Sequence, residues 1–224
     1  MIAVIGAAIA PGIAILSYFY LRDNLQPEPI SMVIRTFIFG VLLVFPVMVL
    51  QYIMQTEWNW RSEFVADVVQ SAVVEEFFKW MVVYFTAYKH VEFDEPYDGI
   101  VYAVAVSLGF ATLENLFYLL INGLDIAFWR ALLPVSSHAL FAVWMGYYLG
   151  RAKFSGTARK EAGYLWISVG LPIGLHAVYN AIFLATQHWL VLIVPFMAVL
   201  WWRGLKKVQR AHDFGSKTLT SRPH

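Results

Sequence analysis

The stretch "SAVVEEFFKWMVV", Ser71 to Val83, decides how this chain folds. An apolar run of this kind reads as a lipid-embedded helix, yet it carries Glu75, Glu76 and Lys79. Ionisable side chains inside a bilayer cost on the order of several kcal/mol each, and are retained when they pair, line water or do chemistry. At helical spacing Glu75 and Lys79 share a face, while Glu76 is turned by about 100° from Glu75. One carboxylate can act while the other accepts Lys79 or orients a neighbour. Taken alone, the stretch reads first as a self-neutralised intrahelical pair. The rest of the chain has to choose.

The surrounding composition is that of a membrane protein. Of 224 residues, 60% are hydrophobic and only 14% charged, against about a quarter charged in soluble domains. Mean hydropathy is +0.62. The expected fold is all-α, a polytopic membrane helix bundle with about seven transmembrane helices. A net charge of +1 gives no hint of nucleic-acid binding. Cys is absent, which removes disulfides, thiolate metal sites and a cysteine nucleophile together. The opening "MIAVIGAAIAPGIAILSYFYLRD" has no basic n-region and an apolar stretch about as long as a bilayer crossing, so it reads as a retained first helix.

Hydrophobic runs broken by polar punctuation fall at 2–21, 31–54, 67–88, 99–121, 132–150, 164–187 and 189–203. Residues 1–210 read as a single transmembrane domain, and 211–224 ("AHDFGSKTLTSRPH") as a polar, frayed tail. Asp98 reads as the cap of the fourth helix. Arg151, Lys153, Arg159 and Lys160 precede the sixth helix, and Arg203, Lys206, Lys207 and Arg210 follow the seventh. Basic residues favour the cytoplasmic side, so both clusters are assigned there, with the N-terminus outside and the C-terminus cytoplasmic. Glu75 then lies about 12 Å below the outer surface, at ~1.5 Å per residue. By the same rise Glu114, His138, His176 and Asn180 fall in one slab of the outer half, on four helices of alternating direction.

Each group has an ordinary reading when isolated. Glu114 and Asn115 serve as interhelical hydrogen-bond glue, His138 after "PVSS" as a cap, and His176–Asn180 as a packing pair. Gly146-x-x-x-Gly150 and Gly170-x-x-x-Gly174 read as close helix contacts. His188 and His212 sit at polar breaks and take no role. The common depth of the remaining groups favours a site.

Four segments carry a resemblance: "EEFFK" (Glu75-Glu76-x-x-Lys79), "FATLE" (Phe110-x-x-x-Glu114), "SSHAL" with His138, and "HAVYN" (His176-x-x-x-Asn180). In this order and on matching helices they resemble the four motifs of the PrsW family, bacterial membrane proteases that cleave anti-sigma factors. The likeness spans almost the whole chain and includes "FDEPYDGIVY" and "SLGFATLEN". In the wider superfamily of CAAX prenyl endopeptidases and bacteriocin-processing proteins, the first motif ends in Arg one residue later. The second motif there carries His where this chain has Glu114.

The resemblance implies a peptidase of the bacterial plasma membrane whose partner is a single-pass anti-sigma factor, cut first on its extracytoplasmic side. It implies hydrolysis without an acyl-enzyme. Glu75 can hold and deprotonate a water, helped by Glu76 or Glu114. His176 can polarise the carbonyl or protonate the leaving amine, Asn180 can donate to the oxyanion, and His138 is a second base or oxyanion partner. Lys79 compensates charge, with Asn115 and Phe110 in support. Gly170, Pro172 and Gly174 are expected to loosen the sixth helix and admit an extended substrate. No cofactor is expected. Zinc is the alternative, held by Glu75, Glu114, His138 and His176, although no HExxH or other compact signature is present. Two other classes compete, a proton-coupled transporter and a non-catalytic scaffold; the transporter would more often show repeat halves, which are not seen.

Overall fold

Polar punctuation cuts the chain into helices, and small residues decide how closely these pack. The computed structural model describes residues 1–23, 26–57, 62 and 65–220, with no strand among the described residues. α1 (Ile2–Leu21) and α2 (Ile30–Glu57) precede α3 (Ser71–Val83), which is flanked by π-helical turns at Ala66–Gln70 and Tyr84–Tyr88. α4 (Asp98–Asn122) leads into short turns, Leu124–Ile126, Ala127–Arg130 and Ala131–Val135, which run without a break into α5 (Ser136–Lys153). α6 (Ala158–Ala185) and α7 (Trp189–Thr220) complete a polytopic helical bundle.

Among the described residues, six stretches are long and apolar enough to cross a bilayer: Ile2–Leu21, Ile30–Glu57, Asp98–Asn122, Leu124–Lys153, Ala158–Ala185 and Trp189–Ser216. The seventh expected crossing is α3, the helix with the buried charges. Half of the outer loop expected at 55–66 (58–61, 63 and 64) lies outside the described residues, and 55–57 are the end of α2. The expected break at 122–131 is largely helical, with turns at Leu124–Ile126 and Ala127–Arg130, and a π-turn at Ala131–Val135 then takes in Pro134, which has no N–H to give to the α-ladder.

α4 runs through the middle, packed on α1, α2 and α5, and is buried almost continuously from Asp98 to Thr112. Glycines permit this. A Cβ on Gly40 of α2 would lie 1.9 Å from the Val106 carbonyl oxygen, and one on Gly109 would lie 2.0 Å from that of Phe37. Gly146 meets the backbone of Gly99 and Gly150 that of Pro96, so this pair is a close helix contact. Gly170 and Gly174 are not: a Cβ on either meets nothing within 4 Å. α6 is also helical throughout, so these residues and Pro172 do not loosen it. Gly40→Ala is expected to destabilise the fold by about 1–3 kcal/mol through forced backbone shifts. Gly174→Ala should instead be neutral or stabilising by about 0.5–1 kcal/mol. Unfolding midpoints of the two variants in detergent check both.

α7 corrects the reading of the C-terminal tail, since it stays helical to Thr220. Val208 and Ala211 are buried, the His212 ring stacks 4.0 Å from Tyr97, and the Arg151 guanidinium lies 4.7 Å over Phe214. A small apolar face at positions 208, 211 and 214 docks an otherwise polar run; residues 221–224 lie outside the described residues. Lys207 Nζ donates to Tyr148 Oη (3.1 Å), and Lys153 Nζ to the carbonyls of Tyr88 (2.6 Å) and His90 (3.1 Å). Both basic clusters and the 89–97 loop therefore share one end of the bundle.

Asp98 does not cap α4 in the expected way. It is the first residue of the helix, and its Oδ2 accepts the N–H groups of Asp94 and Glu95 (2.7 Å each), bracing the preceding loop.

Candidate active site

Lys79 lies one turn beyond both glutamates of α3, at the i+3 and i+4 spacings that let one ammonium reach two carboxylates. Its Nζ donates to Glu76 Oε1 (2.9 Å) and Glu75 Oε2 (3.2 Å), and reaches His138 Nδ1 on α5 (3.0 Å). It is 0% exposed and sits 4.2 Å above the Phe110 ring of α4. An ammonium has three donors and no acceptor, so these partners use all of its hydrogens. His138 Nδ1 is then an acceptor, its proton sits on Nε2, and Nε2–H donates to Glu114 Oε2 (3.0 Å).

Glu114 is held from its other side. Arg130 Nη2 donates to Glu114 Oε1 (3.1 Å) and Arg130 Nε to Asn115 Oδ1 (2.9 Å), while Asn115 Nδ2 donates to the Ala8 carbonyl of α1 (3.1 Å). The guanidinium lies 3.8 Å from the Tyr118 ring centroid. Arg130 was absent from the sequence-derived set because it falls in a stretch that reads as a loop. The only signal available was a lone Arg next to an apolar run.

From α6, His176 Nδ1 donates to Glu76 Oε1 (3.1 Å), and its ring stacks on Phe141 (5.1 Å). With Nδ1–H committed to a carboxylate, Nε2 keeps its lone pair. Asn180, one turn on, donates through Nδ2 to Ser71 Oγ (2.6 Å), a partner the sequence did not suggest. A cavity of about 960 Å³ is lined by Glu75, Glu114, His138, His176 and Asn180, with Gln51 of α2 donating to Glu75 Oε1 at 3.4 Å. Glu76, 0% exposed, and Lys79 stand behind this wall. The two adjacent carboxylates therefore differ: Glu75 meets the cavity, and Glu76 holds Lys79 and His176 in place.

Donor type suits zinc. One ligand atom each from Glu75, Glu76, His138 and His176 lie within 4.8 Å of one another, a set in which Glu76 replaces the expected Glu114. Lys79 Nζ, however, already stands within 3.2 Å of three of these four residues. A dication placed among them would face an ammonium at the same spot. As arranged, the residues do not fit a metal in addition to Lys79.

Residues 28–202 match the family described as "PrsW family intramembrane metalloprotease". The chain belongs to the PrsW family. It is 54% identical to "Protease PrsW" of Geobacillus kaustophilus, over 96% of this chain and 94% of that protein. It is 49% identical to "Protease PrsW" of Bacillus subtilis, over 95% and 97%, and 29% identical to that of Clostridioides difficile, over 94% and 92%. No solved structure matches it. Of the classes left open by the sequence, membrane peptidase is the one the PrsW family carries. The family description says metalloprotease, which keeps a metal in question beside the Lys79-filled arrangement.

Proposed function

We propose that this protein makes the first, extracytoplasmic cut in a single-pass anti-sigma factor of the bacterial plasma membrane, by water activated on Glu75. The observation that carries the reading is the division of labour between Glu75, which lines the cavity, and Glu76, which is buried behind it. Glu75 takes a proton from a water as the oxygen attacks the peptide carbonyl. A second N–H of Asn180 can donate to the oxyanion, and His176 Nε2 relays the proton from Glu75 to the leaving nitrogen as the C–N bond breaks. The products are a carboxylic acid and an amine, with no net proton change at Glu75. Lys79 supplies the buried positive charge in place of a metal and keeps His138 in the tautomer that faces Glu114.

The orientation with the N-terminus outside rests on the two basic clusters, which lie at the end of the bundle carrying the 89–97 loop. The cavity groups then sit about two turns below the outer surface, so a substrate helix need unwind only its outermost turns. Reconstituted protein given a single-pass anti-sigma factor is expected to release fragments whose masses map one cut to the extracytoplasmic side, unaffected by chelator. A scissile bond in the cytoplasmic half overturns the placement. Loss on chelation that zinc restores overturns the metal-free chemistry and leaves the placement standing.

A further inference from the structure

At the end of the bundle opposite the cavity, three loop and helix-end segments bring carboxylates together. Asp23 follows α1, Glu95 lies in the 89–97 loop and Asp98 opens α4; one oxygen of each lies within 4.8 Å of the others. Asp23 is 4% exposed and Glu95 1%. Both oxygens of Asp23, both of Glu95 and Oδ1 of Asp98 are buried and receive no hydrogen bond from the described residues. Glu28, beside them, accepts the Tyr102 hydroxyl. None of the ion pairs among the described residues involves the three carboxylates. Lys153 acts on Asp98 only through its charge, since its ammonium donates to the Tyr88 and His90 carbonyls, and Arg22 lies 5.2 Å over the Tyr18 ring.

We propose that Asp23, Glu95 and Asp98 form a site for a hard divalent cation, magnesium or calcium, that ties α1 and the 89–97 loop to the start of α4. Buried carboxylates without partners are expensive, and a cation coordinated by oxygen removes that cost for all three at once. The chemistry of the donor set is all-oxygen, which selects magnesium or calcium over softer metals. A separation of up to 4.8 Å suits oxygens on opposite sides of an ion bound at about 2.3–2.6 Å, the calcium range. The Asp98 bonds to the Asp94 and Glu95 N–H groups fix the loop and leave Oδ1 free to coordinate. The competing occupant is a proton: burial and the neighbouring Asp23 push the Glu95 carboxyl up to about 9, and burial raises Glu28 to about 7. This site is separate from the catalytic cavity and does not depend on how the peptidase works.

The test is thermal unfolding of the full-length protein in lipid nanodiscs, stripped with EDTA and titrated separately with Mg²⁺ and Ca²⁺. A saturable rise in midpoint of about 5 °C or more at 100-fold excess over Kd is expected for the wild type. The same rise is expected in Glu75→Gln/His176→Ala, which dismantles the other cluster of candidate ligands, and none in Asp23→Asn/Glu95→Gln. Should the latter fail to fold, equilibrium dialysis of Glu75→Gln/His176→Ala against either ion must still find one ion per chain. No rise in the wild type with either ion, an equal rise in the cluster variant, or a rise lost only in Glu75→Gln/His176→Ala each overturns the proposal. The first of these outcomes assigns the cluster to a shared proton.

Discussion

Glu75→Gln is expected to lower peptide cleavage by about 10²- to 10⁴-fold, the span over which a positioned acid–base group contributes to rate. The amide keeps the size of the side chain and can still accept Lys79, so the fold should survive. Unfolding midpoints within a few degrees of wild type check this point. Single-turnover cleavage of a reconstituted substrate measures the loss, and a variant retaining a tenth or more of wild-type turnover ends the role of Glu75 as the base. Glu76→Gln and His176→Ala are expected to cripple turnover as well. Glu76 never meets the cavity, so its loss acts through His176 and Lys79, which it holds at 3.1 and 2.9 Å.

Lys79→Met should be the most damaging single change to stability, at about 3–5 kcal/mol, because it strands two buried carboxylates without their cation. Replacing a whole buried ionic group is often close to neutral. Lys79→Met combined with Glu75→Gln and Glu76→Gln is therefore expected to recover most of the loss while remaining inactive. Denaturant titration of the single and triple variants in lipid separates the cases. A Lys79→Met protein as stable as wild type removes Lys79 from the centre of the arrangement.

Much of the site was legible because charge inside an apolar run is conspicuous and helical rise turns residue number into depth. Glu75, Glu114, His138 and His176 converge for that reason, each on a different helix. The third partner of Lys79 was not legible. It depends on how closely α5 approaches α3, which the spacing within one helix does not contain. Arg130 was hidden because the short helical turns from Leu124 to Arg130 read as a loop. The docking of α7 was hidden by its polar composition, since Val208, Ala211 and Phe214 are too sparse to mark a buried face. Asp23 and Glu95 escaped for a related reason: acidic residues between membrane helices ordinarily face water, and only the fold buries them.

The π-turns on either side of Ser71–Val83 leave α3 with slack at its ends and none in its middle. A π-turn holds a residue beyond what an α-turn needs. A one-residue change in length at Ala66–Gln70 or Tyr84–Tyr88 can thus be taken up where the chain enters or leaves the helix. Between Glu75 and Lys79 the same change would swing the ammonium by about 100° and leave it at a pairing spacing from only one of the two carboxylates. The working spacing is insulated from variation in the loops that lead to it, so related chains can differ in how they arrive at this helix while keeping its centre in register.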